Sequence, residues 1–293
     1  MKEINSCPVC HSTGLGLKLN IKDYSITQEN FNLLECPKCK LHITSPQPDE
    51  QNIGRYYQSE KYVSHTDSKK GIINAIYHRI RKITLTAKLE LINKYSKPGN
   101  LLDIGCGTGY FLKKCQENGW RITGTEPDNG ARQKAKDLTG KEIYGNLNEI
   151  KAIKEFNVIT LWHVLEHIHD PVKALAKIKD LLKDEGTLII AVPNLESNDS
   201  KYYQETWAAY DVPRHLYHFS KTALNNLLVQ TGFQLIETKP MKFDSYYVSM
   251  LSEKYKGSNS LLNAFITGFK SNLRAKKESG NYSSIIYIAR IKK

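Results

Sequence analysis

From residue 100 onward short apolar runs alternate with amphipathic ones, and this alternation limits the fold more than any other feature of the chain. "NLLDIG", "WRITGTEP", "KEIYG", "FNVITLWH", "TLIIAVPN", "FQLIETKP" and "SSIIYIARI" read as strands, with "YFLKKCQENG", "NGARQKAKDLTG", "PVKALAKIKDLLKDEG" and "SKTALNNLLVQTG" as helices between them. Strands separated by helices of this length form βαβ units. The expectation is therefore an α/β, Rossmann-like fold with a seven-stranded, mainly parallel sheet covered on both faces. Asp170 should cap the third of these helices, with Pro171 in its first turn and Gly186 closing it. Residues 244–280 break the series with a basic segment that reads as a helical insertion.

The first strand runs into "LLDIGCGTGYF" at 101–111. Gly105, Gly107 and Gly109 let the backbone approach a ligand closely and adopt positive φ. At the carboxyl end of a parallel strand such a turn presents backbone N–H groups and a helix N-terminus to that ligand. The dinucleotide fingerprint would need glycine at 110, where Tyr110 stands. Glu126 ends the following strand, 21 residues past Gly105. A carboxylate there can accept both ribose hydroxyls of an adenosine-containing ligand.

"LWHVLEHIHDP" at 161–171 follows the fourth strand. Its His163-Val-Leu-Glu166-His167 matches the HxxEH pattern of one zinc-peptidase class, which needs both histidines on one helix face. Here a strand ends near Trp162 and the next helix begins at Asp170-Pro171, leaving under two turns between them. The same letters, with "AVPNLES" and "DVPRHLYHFS" further on and the glycine motif before them, resemble class I S-adenosylmethionine-dependent methyltransferases. The resemblance is to the Methyltransferase 23 group, which contains ubiquinone-type O-methyltransferases, and it covers residues 99–240 at least. It implies that Gly105, Cys106, Gly107, Thr108 and Gly109 cradle the methionyl part of the cofactor, while Asp103 supports the loop and the cofactor's amino group. By the same resemblance Glu126 and Pro127 hold the ribose, Asn146 the adenine, and Trp162 and His163 lie near the sulfonium, with Glu166 and His167 largely structural. Sugar C-methyltransferases that carry an N-terminal zinc module have a similar EHxxYFS stretch, whose histidine removes the substrate proton. "RHLYHFS" aligns with it, so the catalytic candidates are His215 as base, with His163, Tyr217 and His218 around it. Arg214 stands where those enzymes have an acid. Imidazole suits the task because its ordinary pKa lets it accept a proton at neutral pH.

Cys7-Pro-Val-Cys10 and Cys36-Pro-Lys-Cys39 have the form of a four-cysteine zinc ribbon, a closed structural site. So small a segment could not fold on its core alone, so the metal is expected to supply much of its stability. His11 and His42 adjoin the knuckles and are read as outside the ligand set. "TSPQPDE" at 44–50 reads as a linker, giving a ribbon at 1–48, a linker and basic helical cap at 49–98, and the methyltransferase core at 99–293. Within the cap, Ile73, Ile76, Tyr77, Ile80, Ile83, Ala87 and Leu91 fall at helical spacing, with Arg79, Arg81, Lys82 and Lys88 mostly off that face.

The formal charge of +12 is unevenly placed. Residues 53–98 and 241–293 each hold 10 basic against 3 acidic residues, while the rest is close to neutral. Two basic flanks fit an anionic partner: a phosphorylated or lipid-linked substrate, a membrane surface or a nucleic acid, or else they are solvated lysine faces. No signal-peptide pattern opens the chain and no stretch approaches 18 apolar residues, so a cytoplasmic address is expected. Three functions stay open at this point. The first is a methyltransferase acting on O or C of a sugar, quinone or other small molecule. The second is an RNA methyltransferase, which lacks its Asn/Asp-Pro-Pro-aromatic signature here. The third is a non-catalytic zinc-ribbon interaction protein that keeps a cofactor-binding fold.

Overall fold

A computed structural model describes residues 1–57 and 72–292. The chain opens with a meander of β1 (Gly16–Lys22), β2 (Asn30–Glu35) and β3 (His42–Ser45), all antiparallel. Its first turn is tied by the buried Asp23, whose carboxylate accepts from the backbone N–H of Ser25 and of Thr27. The fourth strand of this sheet comes from far along the chain: β9 (Tyr217–His218) pairs antiparallel with β3, His42 opposite His218 and Ile43 opposite Tyr217. The segment expected as a linker thus begins inside a strand. Thr44 and Ser45 belong to β3, and Gln47 is buried, donating from Nε2 to the Leu216 carbonyl at 3.0 Å.

Helix α1 (Ile72–Tyr95) leads to the main sheet. There, in chain order, come β4 (Asn100–Ile104), α2 (Tyr110–Gln116), β5 (Arg121–Thr125), α3 (Asn129–Thr139), β6 (Ile143–Tyr144), β7 (Phe156–Trp162), α4 (Pro171–Leu181) and β8 (Leu182–Pro193). After α5 (Asn198–Tyr203) and β9, α6 (Lys221–Gln230) and β10 (Phe233–Pro240) follow. The insertion is a hairpin of α7 (Asp244–Tyr255) and α8 (Leu261–Arg274), and β11 (Ser284–Ile291) closes the chain. The seven strands lie in the order β10–β11–β8–β7–β4–β5–β6, with β11 antiparallel to both neighbours and the others parallel. The expected Rossmann-like sheet is therefore present. Strand order reverses at β4, between β5 and β7, so the carboxyl ends of β4 and β7 flank the crevice where such folds bind ligands.

Two local expectations need correction. Asp170 does cap α4, accepting from Lys173 N at 2.9 Å, but Gly186 does not end the helix. Helix passes directly into β8 at Leu182, and Gly186 lies inside that strand, where a Cβ would stand 2.7 Å from Leu182 Cδ1. In α1 the buried face is Leu85, Leu89 and Ile92, packed on Leu101, Leu112 and Trp120. Ile80, Ile83 and Ala87 are exposed instead, because the helix meets the sheet along the neighbouring stripe. The side chains of Ile73, Ile76 and Tyr77 lie outside the described residues. Lys88, expected off the packed face, sits on it.

Candidate active site

The glycine turn does three separate jobs. All three residues have left-handed φ, +68° at Gly105, +55° at Gly107 and +82° at Gly109. A Cβ at Gly105 would meet Val164 Cγ2 at 2.6 Å, and one at Gly109 would meet the Ala135 backbone at 2.9 Å. At Gly107 nothing lies within 4 Å: that residue faces open space, and glycine is needed there for conformation and for access. Beneath the turn, buried Asp103 accepts from Thr160 Oγ1 at 2.6 Å, and burial pushes its carboxyl up to about 7. Thr108 and Cys106 are half-buried, the Cys106 thiol facing the Gly107 carbonyl and pushed up by burial.

Glu126, at the end of β5, has both oxygens fixed from the main chain. Gly107 N donates to Oε2 at 2.8 Å and Asp128 N to Oε1 at 3.0 Å. Each oxygen keeps a further lone pair for a ligand hydroxyl. Pro127 beside it is exposed. Asn146, after β6, is exposed and caps a short turn, accepting from Asn148 N and donating to Glu149 Oε1 at 2.6 Å. Across the crevice, Trp162 stands edge-on to Phe111 at 5.6 Å, and its buried Nε1 has no partner among the described residues. Lys88 reaches in from α1 with its ammonium 4.4 Å from the Trp162 ring centre, lowered in pKa by burial against the pull of Asp103 and Asp244. A glycine cradle that a Cβ would close, an anchored carboxylate and an orphaned indole N–H fit an adenosyl cofactor.

The loop after β7 holds the titratable groups. His163 adopts φ +57° and continues the sheet by donating its N–H to the Ala191 carbonyl. Its ring lies between two carboxylates, Nε2 at 3.0 Å from Asp244 and Nδ1 at 3.5 Å from Glu166. Burial opposes charge there, but those carboxylates outweigh it and raise His163 to about 10, so it is a cation at neutral pH. Residues 165–167 form a single 3-10 turn that leaves His163 outside it, not the continuous α-helix the HxxEH letters need for a peptidase metal site.

His215 is the opposite case. It is 8% exposed, and burial, with His167 beside it, lowers it to about 4. Its Nδ1 lies 2.9 Å from the Ala209 carbonyl, which can only accept, so the proton is on Nδ1 and the lone pair on Nε2. His167 is set the same way by the Arg214 carbonyl at 3.0 Å, and the two rings meet edge-on at 4.6 Å. A ring nitrogen of each and a Glu166 oxygen lie within 4.8 Å of one another. Arg214 does not reach into this group: buried, it is neutralised by Asp211 at 2.6 Å and Asp23 at 3.2 Å. The other two catalytic candidates point away. The Tyr217 hydroxyl donates to the His169 carbonyl at 2.7 Å. Thr44 Oγ1 donates to the His215 carbonyl, so it accepts from His218 Nε2, 2.9 Å away.

At the other end of the ribbon sheet the four cysteines converge. Cys7 and Cys39 sulfurs are 3.5 Å apart, those of Cys10 and Cys36 3.4 Å, and all four lie within 4.8 Å of one another. Two matching turns aim them, with His11 and Lys40 in left-handed φ donating to the carbonyls of Cys7 and Cys36. Tetrahedral thiolates at Zn–S ≈ 2.3 Å stand about 3.8 Å apart, so the donor set fits zinc.

A family model described as a methyltransferase domain, Methyltransferase 23, matches residues 76–238. The chain belongs to this methyltransferase family. It is an S-adenosylmethionine-dependent enzyme, as the glycine turn and Glu126 imply. Among curated relatives, the ubiquinone biosynthesis O-methyltransferase of Haemophilus ducreyi is 27% identical over 187 residues, 58% of this methyltransferase and 78% of the relative. The enzyme of that name from Actinobacillus pleuropneumoniae serotype 7 is 33% identical over 107 residues, 32% of this chain and 45% of its own, so less than half of that relative is spanned. In fold the methyltransferase is similar to magnesium protoporphyrin IX methyltransferase of Synechocystis PCC 6803 with bound S-adenosylhomocysteine. The TM-score is 0.55 at 12% identity, covering 84% of this chain and 100% of that one.

The sequence reading missed Lys88, Asp244 and the ionised state of His163. Nothing local signals them, because each depends on a partner that only the fold brings near.

Proposed function

We propose that this methyltransferase acts on an oxygen or an acidic carbon of a small molecule, with His215 as the general base. A phenolic hydroxyl on a quinone-like ring is the first substrate class to test, since the relatives above carry ubiquinone O-methyltransferase names. The supporting observation is the tautomer of His215: Nδ1–H is spent on the Ala209 carbonyl, leaving a neutral ring with its lone pair on Nε2 and Glu166 close to the ring. When the cofactor is bound, it supplies the electrophilic methyl. Gly107 and Glu126 would hold it, and Trp162 and Phe111 would keep water from the crevice. His215 Nε2 would take the substrate proton, and the substrate atom so freed would accept the methyl group that the cofactor supplies. Glu166, kept ionised by the His163 cation against the cost of burial, would stabilise the imidazolium so formed. His163, already protonated, is suited to holding substrate rather than to accepting its proton. Structural zinc on Cys7, Cys10, Cys36 and Cys39 holds the ribbon.

The test pairs binding with turnover. His215→Gln should lower labelled methyl transfer to a catechol or quinol at least ~100-fold while leaving S-adenosylhomocysteine affinity unchanged by calorimetry. Full turnover in that variant would remove His215 from the mechanism.

A further inference from the structure

The hairpin of α7 and α8 is packed inside out. Most of the side chains the two helices bury are small, Ser245, Ser249 and Ser252 on α7 and Ala264, Gly268 and Ser271 on α8, while Val248 joins the cluster of Phe31 and Trp207 and Glu253 accepts from Tyr203. A Cβ at Gly268 would stand 3.0 Å from the Ser245 carbonyl oxygen, so the two backbones cross at contact distance. The large apolar side chains face outward instead. Leu261, Leu262, Phe265, Ile266, Phe269 and Leu273 are all exposed, Leu262 by 68%. Tyr246, Phe265 and Phe269 form a stacked row with ring centres 5.3 and 6.5 Å apart. A helix facing water turns this stripe inward. Small-on-small packing with an apolar exterior is the arrangement helices use where the surroundings are themselves apolar.

Charge decides which apolar surroundings these are. Between Lys254 and Lys277 the chain has no Asp or Glu, yet it carries Lys256, Lys270, Arg274 and Lys276 there as well. Lys270 and Arg274, with Asn198, Tyr202, Asn263 and Ile266, line a groove of about 390 Å³ between α5 and α8. A second copy set face to face would bring these cations together with no carboxylate to answer them. An anionic bilayer answers both demands, its acyl boundary taking the apolar row and its phosphates the cations. Helix α8 has 14 residues, about 21 Å of rise. No helix among the described residues is long and apolar enough to cross a membrane, so α8 would lie in the interface plane. We propose that the α7–α8 hairpin docks this protein on an anionic membrane surface, the groove beside it taking an acidic lipid headgroup. Because α7 begins at Asp244, which holds His163, docking also puts the crevice at the bilayer; only this last clause rests on the methyltransferase reading.

The test is sedimentation of the full zinc-loaded chain with vesicles of phosphatidylcholine alone or mixed with phosphatidylglycerol, at low and high salt. Binding to the mixed vesicles should be tighter by a factor on the order of ten and should weaken with salt. Phe265→Asp with Phe269→Asp should abolish it, and Lys270→Glu with Arg274→Glu should reduce it to the level of phosphatidylcholine alone. S-adenosylhomocysteine affinity, measured on the same samples, should stay at the wild-type value in both variants, which separates lost docking from a lost fold or a wrong cofactor. Protein that ignores both kinds of vesicle, or a double aspartate variant that binds as well as wild type, overturns the proposal. So does a concentration-dependent dimer that the aspartates dissolve, since the face would then belong to a second copy.

Discussion

His163 and His215 show how environment divides one residue type into two roles. His163, raised to about 10, adds stability that is complete below its unfolded value near 6.5 and is lost as pH climbs toward 10. His215, lowered to about 4, does the reverse: its contribution is complete above 6.5 and is lost as pH falls toward 4. Stability should therefore peak near neutrality. In denaturant titrations His215→Gln should flatten the acid side by up to about 3 kcal/mol between those limits; an unchanged acid limb would assign it to other groups, His218 first, which burial also lowers. Glu126 makes the matching prediction for the cofactor. With both oxygens locked by main-chain N–H groups, Glu126→Ala should weaken S-adenosylhomocysteine binding about tenfold or more, and calorimetry showing no change would take the ribose site elsewhere.

The glycine turn is an element whose three glycines separate by experiment. Gly109→Ala drives a methyl into the Ala135 backbone and should cost about 2–4 kcal/mol of stability, read as a lowered denaturation midpoint. Gly107→Ala meets no protein atom and pays only for its positive φ, about 1 kcal/mol, but it fills the cradle. It should fold and fail to bind cofactor; a Gly107→Ala protein with normal affinity would put the ligand on another face of the turn. This part of the site was legible in the sequence because left-handed φ and close approach tolerate almost nothing but glycine, and because β5 must end one crossover later, at Glu126. The parallel strands were legible for a similar reason, each reporting its own burial. What was not legible depends on partners remote in the chain. The stripe of α1 that packs is chosen by the sheet, so Ile80 and Ile83 went outside while Lys88 went in. His163 acquires its charge from Asp244, which lies in an insertion with no fixed place in the sequence pattern.

At the scale of the whole molecule the ribbon and the core are one body. Cys7, Cys36, Leu41 and Ile43 share a hydrophobic cluster with Leu216, Phe219, Leu224 and Leu227, and Thr44 bonds the carbonyl of His215 itself. Zinc removal by a chelator should therefore lower the unfolding temperature of the main transition by about 5 °C or more and depress turnover with it. A main transition and a rate that ignore chelation would show the ribbon to be thermally separate. The strand that β9 lends to β3 also bears on how such chains can diversify. Exchanging the leading segment between homologous enzymes leaves the borrowed strand behind, so a viable chimaera must carry the 217–218 strand and the loop around His215 along with the cysteines. What recombination can move here is a pair of segments far apart in the gene, and the proposed base travels with the ribbon that frames it.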